Sequence, residues 1–310
     1  MATVLLTGGT GLIGRALTRM LRAKGYRVII LTRKERSSEE GIQYAVWDVK
    51  KQVFPDHILE ETDYIIHLAG ANVGEGRWTT RRKTEILRSR THSSELLISA
   101  LKHQPNRVKA VISASGIGWY GPDDGAPFRE SAPAAPDFLG NTCRLWEASV
   151  APLLQLGKRL VILRTGIVLA REGGALPAFR GPLKAGIATI FGNGKQVISW
   201  IHLEDICRLY ISAIEDPHME GVYNGVAPTP ATCKELILAL ARRVKGKFFI
   251  PVHVPAFALK IALGEMSIEI LKSCTADAGR VRSTGFQFTY PTLDAALNEL
   301  VSRPKTNGSN

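Results

Sequence analysis

Val4-Leu5-Leu6 runs directly into Thr7-Gly8-Gly9-Thr10-Gly11-Leu12-Ile13-Gly14, and then into a helical stretch from Arg15 to Lys24. An apolar run of strand length, a glycine-rich loop and a helix, in that order, constrain the fold within the first 25 residues. Gly8 and Gly11 permit backbone angles and a close approach that a Cβ would obstruct. Gly14 lets the helix pack tightly on the strand. The helix N-terminus then offers free N–H groups and a positive dipole to a pyrophosphate. The expected ligand is a dinucleotide, held by Thr7, Gly8, Thr10, Gly11, Leu12 and Ile13.

The remaining pattern is consistent with that start. Strands are expected at Val28–Leu31, Tyr44–Trp47, Tyr64–Leu68, Ala110–Ser113 and Leu160–Arg164. Helices are expected at Ile13–Lys24, Thr80–Lys102 and Asn141–Leu156. Continuous apolar strands with helical crossovers predict an α/β fold, a Rossmann-type doubly wound parallel sheet covered on both faces. After Leu169 the alternation breaks at Gly173-Gly174 and Gly192-Asn193-Gly194. Helices are then expected at Leu203–Glu215, Cys233–Val244, Pro255–Lys272 and Thr292–Val301. The expected organisation is a nucleotide-binding domain over 1–170, a smaller substrate lobe mainly over 171–302, and a flexible polar tail over 303–310. Later segments are allowed to thread back into the first domain.

The 310 residues include 40 Lys or Arg and 28 Asp or Glu, a net charge of +12. The basic residues are dispersed, with no nucleic-acid module, so an anionic cofactor and a basic surface explain the excess better than a nucleic acid does. The longest apolar-rich run, Phe248 to Gly264, contains Pro251, His253, Pro255 and Lys260, and is not a membrane span. Four dispersed cysteines without a CxxC pair point to reduced thiols and a cytoplasmic location. No spacing suggests a metal site. The expected partners are a small polar substrate, no nucleic acid and no membrane, with the chain a monomer or homodimer.

Cofactor identity is read at the end of the second strand, Leu31-Thr32-Arg33-Lys34. An NAD-preferring site places a carboxylate there for the ribose 2′-hydroxyl. Arg33 stands in that place, and a guanidinium suits a 2′-phosphate instead. NADP(H) is therefore the expected cofactor. Asp48 is positioned either to accept from the adenine amino group or to cap a turn. Leu68, Ala69 and Gly70 supply a small, apolar backbone after strand four.

TGGTGLIG at the start, HLAGANV after strand four, SASGIGWYGP after strand five and SWIHLEDI near residue 200 resemble the extended and atypical short-chain dehydrogenases/reductases. The chain is most similar to their epimerase family proteins of the SDR39U1 and YfcH type. Cys143-Arg144-Leu145-Trp146-Glu147, Arg164–Leu169, Tyr223–Pro228 and Gly285–Leu293 carry the resemblance through to about Val301. It implies bound NADP(H), a Rossmann domain and a C-terminal substrate lobe. It also implies cofactor contacts at Glu85, Arg90 and Val168.

The resemblance also marks a departure. The superfamily's usual engine is a tyrosine with a lysine four residues later and a nearby Ser or Thr. None of the seven tyrosines has that lysine, and Cys143 and Glu147 occupy the tyrosine and lysine positions. A glutamate one turn from a thiol raises its pKa. Ser115, Tyr120 and Cys143 are the remaining catalytic candidates, with a packed small residue the competing reading of Cys143. His202 and Asp205 look like an acid–base pair, but a role in positioning a loop and helix is favoured.

Overall fold

The computed structural model describes residues 1–38 and 41–302, so the tail expected over 303–310 lies outside the described residues. The first half alternates β1 (Thr3–Thr7), α1 (Leu12–Ala23), β2 (Arg27–Thr32), β3 (Ile42–Val46), β4 (Tyr64–His67), α2 (Thr80–His103), β5 (Ala110–Gly116), α3 (Phe138–Val150) and β6 (Arg159–Thr165). The second half holds β7 (Ile167–Leu169), α4 (Leu176–Leu183), β8 (Ile187–Phe191), β9 (Val197–Ile198), β10 (Trp200–His202), α5 (Leu203–Glu215) and β11 (Gly221–Gly225). It ends with β12 (Ala231–Thr232), α6 (Cys233–Lys245), β13 (Ile250–Val254), α7 (Ala256–Leu263), α8 (Met266–Leu271), α9 (Gly279–Ser283) and α10 (Leu293–Val301).

Seven strands form one parallel sheet in the order β11-β6-β5-β4-β1-β2-β3. The order reverses between β1 and β4, which opens a crevice at their carboxyl ends. Alternation along β1 distributes the core between two layers. Val4 and Leu6 pack with Leu17 and Leu21 of α1 and Ile206 and Leu209 of α5. Leu5 faces the other way, into a layer with Leu96 and Leu97 of α2 and Val150 of α3. A strand buried on both faces reads as an unbroken apolar run, as in the sequence.

β11 and α5 were not separable from the second lobe by pattern alone. β11 pairs with β6, and α5 packs on α1's side of the sheet, so the chain re-enters the first layer system after residue 170. A separate core joins Leu176, Leu183, Ile190, Trp200, Leu236, Leu240, Leu297 and Leu300. The helix expected over Pro255–Lys272 is two helices, because Gly264 turns into the left-handed region at φ +62. The helix expected at Asn141–Leu156 begins at Phe138, where Asp137 accepts from the Gly140 N–H at 2.7 Å, and gives way to a 3-10 turn at Ala151, ahead of Pro152.

Candidate cofactor groove and reactive corner

The glycines of the first loop have different jobs. Gly8 has φ +68, and a Cβ there would lie 2.9 Å from the Leu68 carbonyl carbon and oxygen. At Gly14 a Cβ would lie 2.5 Å from the Gly8 oxygen. Both are required by packing within the protein. Gly11 is different. Its φ is −75, and a Cβ would meet only the Gly8 oxygen, at 3.3 Å. It sits exposed at the head of α1, a helix with no side-chain cap and no acidic residue in its first turn. An uncapped helix N-terminus beside an open glycine is an anion cradle.

A buried polar chain fixes this loop to β4. Thr7 Oγ1 accepts from the N–H groups of Leu68 and Ala69, both at 3.0 Å. Its proton therefore goes to His67 Nδ1, 2.8 Å away. That leaves His67 protonated on Nε2, facing the Ser94 and Ser93 hydroxyls at 3.2 and 3.4 Å. Both serines donate in turn to the Arg90 carbonyl. Burial drives the His67 pKa down to about 4, so the ring is neutral at physiological pH.

Around the crevice, Thr32 closes β2 by donating to the Lys34 carbonyl at 2.6 Å. Arg33 is exposed and has neither a hydrogen bond nor an ion pair among the described residues. One Asp48 oxygen accepts from the Lys50 and Lys51 N–H groups, so Asp48 does cap a turn. Arg90 lies under Gly70, where a Cβ would come within 3.1 Å of its guanidinium carbon. Its hydrogen bonds go to the Ala71 and Ile86 carbonyls, and its guanidinium stacks 4.8 Å from the Trp146 ring. No carboxylate pairs with Arg90 among the described residues, and burial, with Arg82 nearby, pushes its pKa down to about 10. Glu85 is exposed and pairs with Arg82 at 2.8 Å. Val168 lies on β7, paired with Ile201, and Leu12 packs against the Gly173-Gly174 turn. The β1–α1 loop, Thr32, Arg33, Leu68, Ala69 and Gly70 thus share the carboxyl edge of the parallel sheet.

Ser115, Tyr120 and Cys143 gather at the end of β5, but their polar atoms are already engaged. Ser115 Oγ donates to Glu147 Oε1 at 2.6 Å. Glu147 is held by a two-point ion pair with Arg164, at 2.8 and 2.9 Å, and the two side chains are 9% and 3% exposed. Arg164 also donates to the Tyr120 hydroxyl at 3.0 Å and lies 3.6 Å above the Trp119 ring. The Asn224 amide donates to the Phe128 and Asp277 carbonyls, so its oxygen accepts from Tyr120 at 2.7 Å. Tyr120 is completely buried. Burial holds its phenol above the ordinary range, against the pull of Arg164 and Asn224. This geometry ties β5, β6, β11 and α3 together and leaves Tyr120 facing the interior.

Cys143 Sγ lies 3.6 Å from the Gly116 carbonyl. Burial, and then Glu147, raise its thiol to about 11. The thiolate is therefore scarce at neutral pH. All four cysteines are buried and free. Native protein should leave a disulfide exchange reagent unreacted near pH 8, and denatured protein should release all four thiols. Fast stoichiometric labelling of Cys143 in the native state would contradict this picture.

Sequence reasoning missed the Glu147–Arg164 pair and Asn224. A signal was present in part: Arg164 is a charged residue closing the apolar run Leu160–Leu163 of a strand buried on both faces. A charge at the end of a buried strand asks for a partner of opposite sign. His202 and Asp205 serve as structural ties. His202 caps α5 by accepting from the Glu204 N–H, and Asp205 accepts from the N–H groups of Thr289 and Tyr290.

An open parallel sheet with its order reversed at β1/β4, and a glycine loop leading into an uncapped helix there, define a Rossmann-type nucleotide-binding protein. The family model of the NAD dependent epimerase/dehydratase family matches residues 4–224. The chain belongs to that family. A second model, a domain of unknown function (DUF1731), matches residues 254–300. The epimerase family protein YfhF of Bacillus subtilis is 36% identical over 305 residues, covering 98% of this chain and 99% of that protein. The crystal structure of human epimerase family protein SDR39U1 with NADPH superposes with a TM-score of 0.86 at 32% identity, covering 96% and 99% of the two chains. UDP-glucose 4-epimerase from Thermotoga maritima, with UDP-glucose, shares the fold at TM-score 0.77 and 21% identity, covering 96% of this chain and 97% of that one.

Proposed function

We propose that this chain is an NADP(H)-binding protein of the short-chain dehydrogenase/reductase type whose reactive corner lacks the tyrosine–lysine acid. The carrying observation is Arg33, exposed and unpaired at the end of β2, where an NAD site would hold a carboxylate. The likeness to human SDR39U1, crystallised with NADPH, supports the same cofactor. Gly11 and the head of α1 suit the pyrophosphate, and Arg33 the 2′-phosphate. Arg90, with no carboxylate of its own, adds positive charge beside the loop after β4. Bound NADP(H) would supply hydride exchange. Leu68, Ala69, Val168 and Thr32 would line the groove, and Asp48 and Glu85 its rim.

Ser115, Tyr120 and Cys143 hold the sheet end together in this reading. No one of them is free to pass a proton at neutral pH. A second reading, an oxidoreductase or epimerase acting on a small polar substrate, draws support from the family and requires the proton to come from another group or from water. Four buried free thiols support a reducing compartment such as the cytoplasm.

Arg33→Ala tests the cofactor assignment. Losing a charge-assisted contact worth about 1.5–3 kcal/mol should weaken NADPH binding about ten- to a hundredfold. NADH binding should change little. Equal losses for both nucleotides would sink the role given to Arg33. With binding established, a carbonyl and sugar-nucleotide screen separates the two readings: turnover lost in Cys143→Ala or Tyr120→Phe would return those side chains to catalysis.

A further inference from the structure

One face of the smaller lobe is apolar and uncovered. β13 pairs in parallel with β8, Ile250 opposite Ile187 and Val252 opposite Thr189. Ala188 and Ile190 are buried on the other face of β8, so Ile187, Ile250 and Val252 share the outer one. The Phe248 backbone runs beside Gly186, the residue before Ile187, where a Cβ would lie 3.6 Å from the Phe248 oxygen. Phe248 is 87% exposed and Ile250 69%. α7 follows β13 after a single residue, Pro255, and reads AFALKIAL. Only Leu259 of that helix is buried, and Phe257 and Ile261, one turn apart, are 69% and 72% exposed. A helix apolar on nearly all sides is normally covered.

The segment that carries this face is basic. Between Glu235 and Glu265 there is no acidic residue, against five basic ones: Arg242, Arg243, Lys245, Lys247 and Lys260. Arg243 is paired with Asp294. Lys245 reaches the Lys184 carbonyl at 3.0 Å, which sets Lys184 beside the Lys247–Phe248 corner. Arg242, Lys184, Lys247 and Lys260 are exposed, and none has an ion pair among the described residues. The edge of β13 is blunted by Pro251, so the face rather than the edge is offered. A two-fold dimer through this face would set the basic corner against its own copy.

We propose that this face docks on an anionic lipid surface, with Phe248, Ile250 and Val252 entering the headgroup boundary and Lys184 and Lys247 meeting the phosphates. The contact is peripheral, since no helix among the described residues is long and apolar enough to cross a membrane. It differs from the sequence-based expectation of no membrane partner, which weighed spanning segments only. Each basic residue near an anionic surface strengthens binding about fivefold, and the apolar side chains add a part that salt does not screen.

The test is flotation of the full chain with vesicles of phosphatidylcholine alone, or with about 30% phosphatidylglycerol. Binding should require phosphatidylglycerol and fall at least about tenfold between ~0.1 M and ~1 M salt. The double variants Phe248→Asp/Ile250→Asp and Lys184→Glu/Lys247→Glu should each lose about tenfold or more, with wild-type melting temperatures, because all four positions are exposed. No binding to the anionic vesicles, or binding that neither double variant weakens, overturns the proposal. So does a concentration-dependent dimer without vesicle binding that Phe248→Asp/Ile250→Asp dissolves, which would give the face to a second copy.

Discussion

Arg164→Met should destabilise the protein by about 3–5 kcal/mol, and Glu147→Gln by a similar amount, read as the loss of unfolding free energy in a denaturant titration. The size follows from burial. Each partner is almost wholly out of water, so removing one strands the other charge in the interior. Arg164 has the wider set of partners. Burial opposes its charge, and Glu147 and Tyr120 outweigh that and raise its pKa above the ordinary arginine value. Its loss also leaves the Tyr120 hydroxyl without a donor and the Glu130 carbonyl without a partner. The double variant Glu147→Leu/Arg164→Met removes both charges together. Its cost should fall short of the summed single costs by about 1–3 kcal/mol. Strict additivity would mean that the two side chains do not act as a pair.

Acid should weaken the fold through His67. In the folded state the ring must stay neutral, with its pKa held down to about 4, whereas the unfolded chain protonates it near the ordinary 6.5. Between these values the unfolded state binds more protons than the folded one, so stability falls as pH falls. At ~1.4 kcal/mol per pH unit, the loss amounts to about 3 kcal/mol by pH 4. Above pH 6.5 the contribution is flat. His67→Asn removes the titrating ring and is destabilising at neutral pH, because Thr7 and Ser94 lose their partner. The gap between wild type and His67→Asn should therefore narrow as pH is lowered from 6.5 to 4. A gap constant across that window would show that His67 does not couple folding to protons.

These two predictions concern the parts of the molecule that the sequence left least legible. The β1–α1 loop was readable because its information is local: a strand, a glycine set and a helix in fixed order, each with a short-range physical cause. The strands up to β6 were readable for a related reason: those buried on both faces, β1, β2, β4, β5 and β6, are mostly apolar runs. The seventh was not. β11, Gly-Val-Tyr-Asn-Gly, carries two glycines and a polar Asn224, and gains its place only by pairing with β6 some sixty residues earlier. The break in Pro255–Lys272 was legible in principle at Gly264, but a glycine within an apolar helical pattern is often tolerated.

The reactive corner shows the same division more sharply. Motif comparison located Ser115, Tyr120 and Cys143 and exposed the missing lysine. It did not say where their polar atoms point. Hydroxyl direction and charge pairing depend on residues brought together from β5, α3, β6 and β11, separated by 17 to 104 positions. Tertiary contact alone decided that Glu147 neutralises Arg164, that Tyr120 turns inward to Asn224, and that burial keeps the Cys143 thiol protonated.

The sequence by itself determined the Rossmann-type sheet, the glycine cradle at the head of α1 and the basic side chain, Arg33, at the end of β2. Each depends on residue type and short spacing, which the chain states directly. Only the tertiary structure decided that the catalytic candidates form a buried tie, that Gly8 and Gly14 serve packing while Gly11 stays open, and that Ile187 and Ile250 share an uncovered face. Those properties arise from long-range pairing and exclusion of water, which no local pattern encodes.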